Sequence, residues 1–71
     1  MSVELRTGDR LRRDDGTRFD GVEYLIVDLD VEFALCRSER THQRVDVPRN
    51  IIHTDSQQHR FGFTLLPRSK P

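Results

Sequence analysis

The 71-residue chain has one cysteine, one tyrosine, no tryptophan, three prolines and four glycines. A single thiol excludes an intramolecular disulfide, so cross-links cannot compensate for small size. The longest unbroken apolar run is four residues, Tyr24 to Val27. A membrane-spanning helix needs about 20 and a signal-peptide core at least about 7. Neither is predicted, no membrane partner is expected, and the cytoplasm is the expected location. No stretch sustains a helical period with caps, and there are no repeats or domain linkers. A single domain over residues 1–71 is expected, with flexible ends at 1–4 and 67–71. A chain this short buries only about 60 % of the surface its unfolded form exposes. Its core must be thin, and oligomerisation or docking on a partner is a common remedy.

The apolar residues concentrate in one place. Val22 to Arg37 holds eleven of them in sixteen positions. The segment is rich in β-branched and aromatic residues, the composition of strands. Leu25, Val27, Leu29, Val31, Phe33 and Leu35 recur at every second position, the period of one strand face. A helix would be cut by Asp28, Asp30 and Glu32. Two strands are predicted, about 22–28 and 32–37, joined near Asp28–Glu32, or else one long bent strand, with the odd-numbered aliphatics facing inward. Tyr24, Ile26, Ala34 and Cys36 share the other parity.

Around this pair the elements are short. A strand near Val3–Leu5 leads to Gly8-Asp9 and Asp15-Gly16, turn signals that bracket a strand at 10–13. Leu11, flanked by arginines, suggests an edge strand with charge outward. Residues 14–21 form a loop with Phe19 tucked back onto the core. A strand at 44–47 ends at Pro48, which cannot donate to a ladder. A 3₁₀ turn at 48–52 puts Ile51 or Ile52 into the core. His53–Arg60 is a polar loop, and a last strand spans 61–66, with Phe61, Phe63 and Leu65 on one face. Five or six short strands with closely spaced turns predict an all-β barrel or sandwich.

The Gly8-Asp9-Arg10-Leu11-Arg12 start, the central bent hairpin, the strand ending at Pro48, the 3₁₀ turn and the short final strand resemble the SH3-like small β-barrels, which include KOW and Tudor-type modules. The likeness spans roughly residues 5–53 and implies a five- or six-stranded barrel. Gly8 to Gly16 is similar to the barrel opening of the small plasmid-borne dihydrofolate reductases. That activity is not implied, because the Val-Gln-Ile-Tyr run of their active site is replaced here by Val45-Asp46-Val47-Pro48. Val22–Val27 and Arg44–Ile52 also resemble the small Sm-like inhibitor of Rho termination, without its N-terminal helix.

Candidate chemistry is sparse. Cys36, His42, His53 and His59 lack the paired spacing of a zinc site. Cys36 in strand context beside Leu35 reads as packing rather than as a nucleophile. No metal, cofactor or enzymatic activity is expected. Charge is the informative feature. The net charge is zero, yet residues 20–35 carry five acids and no base, and residues 36–71 carry seven bases against three acids. A non-enzymatic binding module is therefore expected. In the leading expectation it is a regulatory or adaptor protein that binds a protein partner, or a second copy of itself, through a charged face. Arg37, Arg40, Arg44, Arg49, Arg60 and Tyr24 are the candidate binding residues. The alternative is RNA or single-stranded DNA, with aromatics stacking beside the arginines. Zero net charge weighs against it. The other reading of these acids is internal compensation, with Asp28, Asp30 and Glu32 facing Arg37, Arg40 and Arg44 across the sheet. The two uses of these charges are indistinguishable in sequence.

Overall fold

The computed structural model describes residues 4–54 and 62–67. The strands are β1 (Arg10–Arg13), β2 (Glu23–Leu29), β3 (Phe33–Ser38), β4 (Arg44–Pro48), β5 (Ile52–Thr54) and β6 (Phe63–Leu65), with a 3₁₀ turn at Arg49–Ile51 between β4 and β5. They form one six-stranded sheet in the order β4-β3-β2-β1-β6-β5. The sheet curls into a half-barrel, so the fold is all-β, as expected, and compatible with a small β-barrel. Among the described residues no helix is long and apolar enough to cross a membrane.

The parity of the central pair is the reverse of the expected one. Tyr24, Ile26, Ala34 and Cys36 are buried, together with Leu11, Val47, Ile52 and Phe63. Val27, Val31 and Phe33 are exposed. Two features accompany the reversal. The β2–β3 register shifts between Ile26 and Asp28. A bulge of this kind lets Ile26 and Leu29, three apart, both face inward; Leu29 packs against the core. The concave side of a tightly curled sheet also has less room than the convex side. It takes small Ala34 and Cys36 and leaves Leu25 and Leu35 on the outside.

β1 is not an edge strand. It pairs antiparallel with β2, Leu11 opposite Tyr24, and with β6, Leu11 opposite Leu65. A strand reading Arg-Leu-Arg-Arg tolerates this central place because its charges are matched two residues on. Arg12 Nε donates to Asp14 Oδ1 at 3.1 Å, and Arg13 Nε donates to Asp15. Residues two apart share a strand face, so each pair closes on its own side.

Other segments also depart from expectation. Leu5 packs on the core but lies outside any strand, because Arg6–Asp9 forms a turn, with the Arg6 amide donating to Asp9 Oδ2 at 2.9 Å. His53 and Thr54 belong to a strand, not a loop. β5 runs parallel to β6, His53 opposite Thr64. The Thr64 hydroxyl donates to Asp14 Oδ2 and lies 3.1 Å from His53 Nε2, which ties β1, β6 and β5 together. Burial pushes the Asp14 carboxyl up, but Thr64, Arg12 and His53 outweigh it, and it sits below its usual range. Of the two isoleucines after the 3₁₀ turn, Ile52 is the buried one. Phe61 lies outside the described residues.

Cys36 lies wholly inside, its Sγ 3.5 Å from the Ala34 carbonyl oxygen. Burial, with a smaller contribution from Asp46, pushes its thiol up to about 11. A thiol raised in the fold favours the native state fully below its ordinary pKa, and that contribution is lost as pH rises through about 11. Folded protein at about pH 8 should therefore leave a thiol reagent unreacted, and denaturant should release one equivalent of reactive thiol. Rapid modification without unfolding would contradict this placement.

Candidate ligand cleft

Two loops meet at the end of the sheet where β2 starts and β3 ends. The first, between β1 and β2, is knit by short polar turns. Asp15 Oδ1 accepts from the Thr17 amide at 3.0 Å and from the Thr17 hydroxyl at 2.7 Å, and Thr17 Oγ1 accepts from the Phe19 amide at 3.2 Å. Hydrogen bonds from Thr17, and then from Arg13, hold the Asp15 carboxyl down to about 2 against a modest opposing effect of desolvation. The second loop, between β3 and β4, is fixed by Ser38, whose Oγ accepts from the Arg40 and Thr41 amides, both at 3.2 Å. His42 there adopts a left-handed backbone, φ 62°, and its amide donates to the Ser38 carbonyl at 2.8 Å.

Between the loops lies a cleft of about 520 Å³. Val22, Tyr24 and Val45 line it with Phe19, and Arg13, Arg18 and Arg40 supply its charge. No carboxylate is among the lining residues. Phe19, expected in the core, is 38 % exposed. Its loop ends before β2 begins, and the ring serves as a platform for cations. The Arg13 and Arg18 guanidinium carbons lie 5.2 and 4.9 Å from its centroid. Such contacts contribute about 0.5–1 kcal/mol each where exposed.

The three arginines differ in what already holds them. Arg13 hydrogen-bonds the Tyr24 hydroxyl and pairs with Asp15, and these partners raise its pKa. Arg18 and Arg40 make no ion pair with any described residue. The cleft thus presents two guanidinium groups without an ion pair among the described residues above a largely apolar floor, a combination suited to an anionic group carried on an apolar frame.

The sequence-derived candidates fall in several places. Tyr24 and Arg40 line the cleft. The Tyr24 ring is buried, edge-on to Phe63 with centroids 5.4 Å apart, and only its hydroxyl end serves the cleft. Arg37 and Arg44 are directly opposed across β3 and β4, exposed on the convex face. Arg49 is half-buried on the 3₁₀ turn, its Nε without a hydrogen-bond partner among the described residues, in a separate hollow with Val31, Glu32 and Phe33. Arg60 lies outside the described residues, as does His59. Among the described residues no group of three His, Cys, Asp or Glu side chains is placed to hold a metal.

Internal charge compensation across the sheet does not occur. Asp28 opposes Leu35, and neither it nor Asp30 nor Glu32 forms an ion pair with a described residue. Sequence reasoning missed Arg13, Arg18 and Phe19. The adjacent Arg18-Phe19, following an Arg-Arg-Asp-Asp run that neutralises itself, was the available signal. No protein-family model, curated protein or solved structure matches the chain.

Proposed function

We propose that this chain is an SH3-like, non-catalytic binding module, a regulatory or adaptor protein of the cytoplasm that holds an acidic segment of a protein partner in the cleft. The observation that carries this is the pair of guanidinium groups, Arg18 and Arg40, lining a carboxylate-free cleft without an ion pair among the described residues. Arg13, held by Tyr24 and Asp15, and Phe19 support them from below. Arginine forks donate bidentately to carboxylates, and the Phe19 ring partly orders the Arg18 rotamer in advance, which reduces the cost of binding.

Nucleic acid is the weaker reading because the aromatics are engaged. Tyr24 and Phe63 are buried against each other, and Phe19 already carries two guanidinium groups. Phe33 is exposed, but in the hollow with Glu32, at the acidic end of the sheet. A base therefore finds no unengaged ring among the described residues beside Arg18 and Arg40.

A fluorescent oligo-glutamate peptide should bind the wild-type protein with an affinity that falls as salt rises. Arg18→Glu with Arg40→Glu should weaken it by at least about tenfold with the circular dichroism spectrum unchanged. Equal binding by the double variant, or tighter binding of a single-stranded oligonucleotide than of the peptide, would overturn the proposal.

A further inference from the structure

At the far end of the β2–β3 ribbon from the cleft, the connecting tip carries Asp28, Asp30 and Glu32 around Val31. Val31 is 86 % exposed, the most exposed of the large hydrophobics described. Asp28 Oδ1 and Asp30 Oδ1 accept only from the backbone amides of the residues that follow them, at 2.9 and 2.7 Å. The tip is rigidly presented, because the Asp30 amide donates to the Phe33 carbonyl at 2.8 Å and the Arg49 amide to the Glu32 carbonyl at 2.9 Å. One end of the molecule thus offers carboxylates flanking an exposed valine, and the other offers arginines without ion pairs around an apolar floor.

Resting on the cleft being an acid-binding site, we infer that its occupant is the 28–32 tip of a second copy of this chain. The charges match in kind and place. Asp30 and Glu32 meet Arg18 and Arg40, while Val31 enters the floor made by Val22, Val45 and Phe19. The match also accounts for a chain of zero net charge whose Asp28, Asp30 and Glu32 form no ion pair among the described residues. Tyr24–Ser38 is the cross-strand pair at the cleft end and Leu29–Ala34 the pair nearest the tip. Four residues lie between them on β2 and three on β3, a span of about 13–17 Å. Two copies lying antiparallel about a twofold axis place each tip in the other's cleft. The contact is then isologous and closes as a dimer. It also covers a valine that water would otherwise surround.

Sedimentation velocity on the full chain tests this. Wild-type protein at low salt should run as a dimer and shift toward monomer as salt rises. Asp30→Lys with Glu32→Lys should run as a monomer, and so should Arg18→Glu with Arg40→Glu. An equimolar mixture of the Arg18→Glu/Arg40→Glu protein with wild type should form no more dimer than wild type alone supplies. A chain carrying all four reversals should dimerise again, since its two ends are complementary once more. A wild-type monomer at every concentration, growth of mass beyond the dimer, or a four-fold variant that stays monomeric would overturn the inference. Failure of self-association alone leaves the oligo-glutamate assay to decide whether the cleft binds acids at all. If the peptide binds while the wild-type protein stays monomeric, the binding module stands and only the second copy is excluded.

Discussion

Gly62→Ala should cost about 3–5 kcal/mol and leave little folded protein at physiological temperature. Gly62 has φ +121°, a conformation that side chains rarely adopt. A Cβ there would also lie within 2.3 Å of the Ile51 carbonyl oxygen, a backbone atom that cannot swing aside. The glycine carbonyl accepts from the Asp14 amide at 2.8 Å, so the backbone is held from the β1 side as well. Total stability for a domain of this size is about 4–10 kcal/mol. Gly8→Ala provides the contrast, since φ there is +91° but nothing lies within 4 Å of the new Cβ. It should cost about 1–2 kcal/mol, the backbone strain alone. Urea titrations of both variants measure the difference; equal midpoints would show that the close approach to Ile51 is absent in solution.

Leu11→Ala should destabilise by about 2–5 kcal/mol. Leu11 is fully buried at the centre of the concave face, between Tyr24 on β2 and Leu65 on β6. Among the described residues the fully buried core cluster is only eight residues, so few neighbours can collapse into the cavity. Val27→Ala, exposed on the convex side, should change stability by no more than about 0.5 kcal/mol. The odd-parity core expected from sequence predicts the opposite ranking at Val27. Denaturation midpoints of the two variants therefore check which face of the sheet is inside.

The four charge reversals in the cleft and tip are placed at exposed loop positions, where folding should tolerate them. Their effect should appear in binding and association, with the denaturation midpoint nearly constant. A binding loss accompanied by a large fall in stability would point instead to a structural role for Arg18 or Arg40.

The all-β class and the positions of most strands were legible in the sequence, whereas β5 was not and Leu5 lies outside any strand. Period-two alternation, β-branched composition and turn residues are local properties, and they located β1, the β2–β3 pair, β4, the 3₁₀ turn and most of β6 to within a residue or two. It also established that charge is segregated along the chain. What only the tertiary structure decided was which side of each strand is inside, which strands are neighbours, and where the arginines gather. A single bulge after Ile26 breaks the strict alternation, so that Leu29 faces inward with Ile26. The curl of the sheet selects Ala34 and Cys36 over their larger neighbours for the concave side. The parallel pairing of β5 with β6 leaves no mark that differs from antiparallel pairing in so short a strand, and it is the antiparallel pairing of β6 with β1 that makes β1 internal. The cleft unites Arg13, Arg18 and Arg40 from two loops far apart in sequence. Such convergence depends on how the sheet bends, a long-range property that no local pattern of residues encodes.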